Sequence, residues 1–171
     1  VDCFKKMSVE AGFPGIYLVA NVSDNSIKKE VMLQKGYDAV CYCDILGHAK
    51  QNRNTFKHKV FKHLQGILLN RPTHVYDYSK HYKELIGEID KDENVIPQIV
   101  PQWDHSPRGG RKTNIYINST PEYFAKHVRM AMEAIKGKKE EHQILMLKSW
   151  NEWAEGNYME PDMTHGRGYI D

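Results

Sequence analysis

Apolar residues arrive along this chain in short runs that alternate with helix-spaced stripes, and each run ends in a polar cluster. Residues 1–12 read as a helix, with Phe4, Met7 and Ala11 on its inner face and Gly12 where a C-terminal stop belongs. After Pro14, residues 15–22 form a continuous apolar run of the kind buried on both faces of a sheet. Ser23, Asp24 and Asn25 can cap a short helix that carries Ile27 and Val31 and ends at Gly36. Residues 38–43 are a second strand, and 44–54 a polar loop. Over 55–69 a helical face of Phe56, Val60, Leu64, Ile67 and Leu68 opposes Lys57, His58, Lys59, Lys62 and His63. That charged run reads as a solvated helix face rather than a binding patch.

Asn70, Arg71 and Pro72 break the chain, and 73–78 is a short extended piece. Ser79 is expected to cap a helix whose inner stripe is Tyr82, Leu85, Ile86 and Ile89. Residues 95–101 are the third strand of the main series, although Pro97 lacks the donor a central strand uses; Pro101 can end it. The polar loop over 102–118 is long enough to expect a function of it. Ser119, Thr120, Pro121 and Glu122 read as a capping box with an early proline, and Phe124, Val128, Ala131 and Ile135 form the inner face of the helix that follows. Residues 143–150 are the last strand. This alternation predicts an α/β fold with a parallel sheet and helical crossovers. Ligands in such folds bind beyond the C-terminal strand ends, where the polar clusters after Val22, Cys43, Val100 and Trp150 fall. No Gly-rich phosphate fingerprint follows any of these strands.

Composition narrows the partners. A chain of 171 residues, 40% hydrophobic and 27% charged, supports one domain with a core. Its 24 Lys and Arg are diluted by 22 Asp and Glu, to a net charge of +2, which argues against a nucleic-acid surface. No apolar run approaches the ~20 residues of a membrane span. The first residues lack the features of a signal peptide and there is no initiator Met, so the chain is expected to be a piece of a longer protein. Cys3, Cys41 and Cys43 fit no common zinc pattern and read as reduced thiols, which points to the cytoplasm. His48, His74, His105 and His165 show no metal-ligand spacing, so neither a metal nor another cofactor is expected.

The densest chemistry lies in residues 150–162. Glu152 and Glu155 are three apart, so a helical turn there projects both to one side. Two carboxylates that close repel, which favours a proton on one of them. An acid beside a carboxylate suits glycosidic-bond chemistry, and a separation of about 5–5.5 Å suits a retaining mechanism. Trp150, Trp153 and Tyr158 can serve as platforms for the apolar face of a sugar, while Asn151 and Asn157 can bond hydroxyls or orient a carboxylate. Glu160 is open between an acid at the site's edge, a partner for Tyr or Arg, and a solvated side chain. A second cluster holds Trp103, Asp104 and Arg108; Arg108 can hold a carboxylate or a hydroxyl, and Asp104 can bind hydroxyls in bidentate fashion. An E-x-x-E on a water-facing helix and an Asp–Arg pair that merely steadies its loop are the plainer alternatives.

The run Trp150-Asn-Glu-Trp-Ala-Glu-Gly-Asn-Tyr-Met-Glu-Pro-Asp162, with Gly166-Arg-Gly-Tyr-Ile170, resembles the WbsX-like proteins of bacterial polysaccharide gene clusters, also described as glycoside hydrolase family 99-like. Pro101-Gln-Trp-Asp-His-Ser-Pro-Arg108, Ser119-Thr-Pro-Glu-Tyr-Phe124 and Glu10-Ala-Gly-Phe-Pro-Gly-Ile-Tyr17 are similar to further segments of that family, so the resemblance covers most of the chain. It implies a (β/α)8 TIM-type barrel of which this chain is the C-terminal half, a single partial domain over 1–171 with strands five to eight. It further implies a paired-glutamate retaining mechanism on a polysaccharide. By motif match, the resemblance gives Glu152 the task of assisting the sugar's own 2-hydroxyl as internal nucleophile and Glu155 that of acid/base. Ala154 stands where the mannosidases of family 99 carry His, so the acid pair carries over and the mannoside preference does not. A sugar-nucleotide-dependent glycosyltransferase of O-antigen or capsule biosynthesis and a non-catalytic glycan-binding barrel are the alternatives. Half a barrel also leaves two sheet edges open to self-association.

Overall fold

The computed structural model describes residues 1–43, 72, 74–110 and 113–171. The helix expected over 55–69, the loop over 44–54 and His48 lie outside the described residues. The elements in chain order are α1 (Asp2–Glu10), β1 (Val19–Val22), α2 (Lys29–Gln34), β2 (Ala39–Tyr42), β3 (His74–Asp77), α3 (Tyr78–His81), β4 (Gln98–Ile99), α4 (Ser106–Gly109), β5 (Asn114–Ile117), α5 (Pro121–Ile135), β6 (Met146–Leu147), β7 (Asn151–Glu152) and β8 (Asn157–Tyr158). Short 3-10 turns cover Tyr82–Glu84, Glu88–Lys91, Glu140–His142 and Trp153–Glu155.

The main strands run parallel, as their apolar runs predict. β1 pairs with β2 in the register Val19↔Ala39, Val40 bridges Val95, and β4 pairs with β6 in the register Gln98↔Met146. A second parallel pair, β3 with β5, is extended by an antiparallel bridge between Asp104 and Ile115. The result is a mixed α/β architecture. Among the described residues no barrel closes, so the expected half barrel is not confirmed by this topology.

Pro97 is accommodated by register. The ladder to β6 starts with Met146 N–H donating to the Pro97 carbonyl at 2.9 Å, so the donor that proline lacks falls before the first bond of that ladder. On the other side Ile96 N–H donates to Val40 O at 2.8 Å. Ala39, Cys41 and Ile96 pack together, and Val40 joins Ala20 and Val22. Cys43 lies against the Cys41 cluster, as strand alternation requires. All three thiols are free; Cys3 is exposed and Cys43 half-buried, so only Cys41 is the buried thiol expected of them. Burial pushes the Cys41 thiol up to about 12.

α5 forms where its cap and periodicity place it. The Thr120 side chain accepts from Tyr123 N–H, Pro121 opens the helix, and Phe124, Ala131 and Ile135 are buried. Glu122 does not close a capping box; its carboxylate pairs with Lys126 one turn on. The helix expected from Ser79 is corrected. Asp77, not Ser79, caps the turn, and the segment breaks into α3 and two 3-10 turns around Gly87. A strand-end carboxylate two residues upstream satisfies the Ser79 N–H, and Ile89 is left exposed. α1 is corrected too. Phe4 and Met7 are 62% and 55% exposed and no residue of the helix is buried, so the expected inner face is not covered. Among the described residues no helix is long and apolar enough to cross a membrane.

Candidate functional site

Because β4 and β6 are neighbours, the loops after them run side by side. The β4 loop carries Gln102, Trp103, Asp104 and His105 into α4. The β6 loop carries Lys148 and Ser149 into the β7–β8 hairpin, whose register is Glu152↔Asn157. The turn of the hairpin is the 3-10 segment Trp153–Glu155, closed by Gly156 in the left-handed region at φ 50 and ψ 38. Asp104 N–H donates to Glu155 O at 2.9 Å, and Gln102 Nε2 donates to Tyr158 O at 3.2 Å, which ties the two loops together.

The turn brings Glu152 and Glu155 to one cation. Arg108 Nη1 donates to Glu155 Oε1 at 3.2 Å, and its Nη2 lies 3.5 Å from Glu152 Oε1. A shared guanidinium offsets the repulsion expected between two carboxylates. The acids are not equivalent: the Glu155 side chain is 19% exposed and that of Glu152 40%. His105 Nε2 also lies 3.4 Å from Glu155 Oε1, and His105 Nδ1 is 3.0 Å from Thr113 Oγ1.

The aromatic residues divide in two. Trp150 and Trp153 are half exposed beside the acids. Trp153 stacks on Tyr158 with centroids 3.6 Å apart and planes 12° apart, and its Nε1 donates to Glu160 Oε2 at 2.5 Å. Glu160 is thus a partner to an indole, an option outside those its sequence context suggested. Burial and the nearby Asp162 carboxylate raise the Tyr158 phenol above its ordinary range. Trp103 instead packs against the tyrosine cluster of Tyr76, Tyr78, Tyr82 and Tyr116, with Lys148 Nζ 4.7 Å over its ring.

Asn157 and Asp104 bond within their own loops. Asn157 is wholly buried; its Oδ1 accepts from Ser149 N–H at 2.7 Å and its carbonyl accepts from Ser149 Oγ at 2.9 Å. Asp104 is exposed and its Oδ1 accepts from Ser106 N–H at 2.9 Å, opening α4. Asn151 is exposed on β7 opposite Tyr158. The fold therefore brings Glu152 and Glu155 to Arg108, leaves Trp150 and Trp153 half exposed on the same hairpin, and buries Asn157. His105, Thr113 and Lys148 join the site although their sequence context did not assign them to it. His105 stands inside the W-D-H-S-P-R run, whereas nothing in the spacing links Thr113 to it. Among the described residues no three His, Cys, Asp or Glu side chains gather as metal donors.

A family model described as "Glycosyltransferase WbsX" matches residues 1–171. Over 98 residues the chain is 28% identical to the "Uncharacterized protein WxcX" of Xanthomonas campestris pv. campestris (strain B100), covering 57% of this chain and 14% of that protein. The protein of the same description from strain ATCC 33913 is 30% identical over 95 residues, covering 53% of this chain and 14% of its own length. The matched segment thus spans about one-seventh of these relatives. No solved structure matches.

Proposed function

This chain belongs to the WbsX glycosyltransferase family, and from that premise we propose that it carries the acid pair of a site that cleaves or transfers glycosidic bonds of a polysaccharide. The contact of Arg108 with both Glu152 and Glu155 carries the reading. It gathers two carboxylates on one rigid turn, beside two half-exposed indoles suited to a sugar face. Glu155, the more enclosed acid, gives its proton to the departing glycosidic oxygen. Glu152, open to solvent, takes the proton of the sugar's 2-hydroxyl as that oxygen attacks the anomeric carbon, which retains configuration over two steps. Trp150, Trp153 and Tyr158 hold the sugar, with Asn151, Asp104 and Glu160 at the rim; Trp103 and Asn157 support the loops.

In this reading the chain is the C-terminal half of a (β/α)8 barrel. The rest of the longer protein supplies the other wall of the groove and covers the outer edges of β1 and β6, which otherwise invite self-association. The reaction needs no metal or organic cofactor, and its reduced cysteines suit the cytoplasm. The test is Glu155→Gln and Glu152→Gln in the full-length protein, assayed on its cognate polysaccharide. Each is expected to lower kcat by roughly 10²–10⁴; unchanged turnover by Glu155→Gln ends the proposal.

The description of the family favours a second reading, a transferase that takes its sugar from a nucleotide donor. Transfer of isotope from a nucleotide sugar to an acceptor glycan supports it, whereas hydrolysis without transfer counts against it.

A further inference from the structure

Two glutamates on one turn, held by one guanidinium, need something else to give them different tasks. We infer that His105 is a positioning residue for Glu155, buttressed by Thr113, and that it makes the two acids inequivalent; the inference rests on the paired-glutamate reading above. His105 Nε2 faces Glu155 Oε1 at 3.4 Å, and no such group faces Glu152 among the described residues. A carboxylate oxygen accepts only, so Nε2 carries a hydrogen. On the other side of the ring, Nδ1 is 3.0 Å from Thr113 Oγ1. A hydroxyl can donate to a neutral imidazole or accept from a charged one, so this contact survives either state of the ring. Thr113 is 7% exposed, which fixes the hydroxyl in place.

The local sequence is built around this contact. A Cβ at Gly109 would lie 2.9 Å from Thr113 Cβ and 3.0 Å from His105 Nδ1, so only glycine leaves room for the Thr113–His105 pair. Gly109 N–H also donates to His105 O at 2.8 Å, which holds the start of α4 against its end. Among the described residues, the charged groups around the ring are Glu155, Arg108 on the short helix that His105 precedes with Glu152 beyond it, the adjacent Asp104, and Lys148 over the Trp103 ring, which lies 5.9 Å from the imidazole. Arg108 has 54% of its side chain in solvent and can turn away when a sugar enters. His105 is braced from behind and stays. Glu155 then keeps a contact that Glu152 loses, which fixes the orientation of the Glu155 carboxyl and leaves Glu152 free to act on a hydroxyl.

The test needs no substrate. Full-length protein is treated with a water-soluble carbodiimide and glycinamide, and the labelling of Glu155 relative to Glu152 is read by peptide mass spectrometry. His105→Ala is expected to raise Glu155 labelling about two- to fivefold with Glu152 unchanged, the range a half-exposed charge contact supplies. His105→Gln, which keeps an N–H donor, returns the ratio toward wild type. Thr113→Val falls between, and it carries the test alone if His105→Ala does not fold by circular dichroism. Arg108→Gln raises both acids together. An unchanged ratio in His105→Ala and Thr113→Val, or a parallel rise of both acids, overturns the inference. A selective rise in a protein whose Glu155→Gln variant remains active instead upholds the positioning and removes the catalytic reading.

Discussion

Gly156 and Asp104 meet backbone to backbone: a Cβ at position 156 would lie 2.9 Å from Asp104 Cβ and 3.0 Å from its amide nitrogen. This contact seats the acid-bearing turn on the loop that supplies Arg108 and His105. Gly156 also adopts φ 50, which costs an L-residue about 1–2 kcal/mol. Gly156→Ala is therefore expected to lose at least that much stability in urea melts, since strain and collision add. The Asp104–Glu155 backbone bond should weaken with it, seen as faster hydrogen exchange at the Asp104 amide.

Tyr78 anchors the helix α5 to the end of the third main strand. Its wholly buried hydroxyl donates to Val100 O at 2.6 Å and lies 3.0 Å from His127 Nδ1, which must then donate to it. Tyr78→Phe takes the hydroxyl from between the Val100 carbonyl and His127 Nδ1, two buried polar groups. The expected loss is about 1–3 kcal/mol, measured by equilibrium urea denaturation, with little change in shape because the ring remains.

His127 gives the fold an acid sensitivity. It is fully buried, and burial pushes its imidazole down to about 4 from an ordinary 6.5. The unfolded chain therefore binds a proton in this window that the folded chain refuses, and the stability it contributes is complete above about 6.5 and falls as pH drops toward 4. Urea melts between pH 7.5 and 4.5 should show a loss approaching about 3 kcal/mol. His127→Gln, which keeps a donor to Tyr78, should flatten that part of the profile.

The Trp153–Tyr158 stack closes the β7–β8 hairpin across its turn. Trp153→Ala removes it together with the bond to Glu160, and about 0.5–1.5 kcal/mol of stability beyond the lost area is expected to go. Thermal melting checks the stability. Acrylamide quenching checks the geometry: the emission that remains comes from Trp103, half-buried, and Trp150, half exposed, so the fraction readily quenched should fall.

Much of this arrangement is legible in the order of the residues alone. Apolar runs mark the parallel strands, although only β2 is buried on both faces, while β1 alternates with Asn21 exposed and Ile16 and Tyr17 lie exposed before it; the cap-plus-proline at Thr120 and Pro121 places α5. The i, i+3 spacing of Glu152 and Glu155 anticipates a turn that brings them to one cation. The break in the helix expected from Ser79 is not legible, because an Asp77 carboxylate and a glycine at 87 compete locally with a stripe that fits a helix equally well. Asn157 reads as a ligand residue, since an asparagine's polarity does not reveal whether its partner is a sugar or the Ser149 amide beneath it.

By itself the amino-acid sequence determined the class of fold, the two polar loops proposed to bear chemistry and the spacing of the two acids within one of them, because these depend on periodicity and local spacing. Only the tertiary structure decided that Arg108 spans both acids, that His105 and Thr113 back Glu155 alone, and that α1 exposes its apolar stripe. The first two outcomes turn on contacts between residues as far as 50 apart in the chain, set by the pairing of β4 with β6. No local pattern encodes such a pairing; it follows from which strand the folded core leaves next to which.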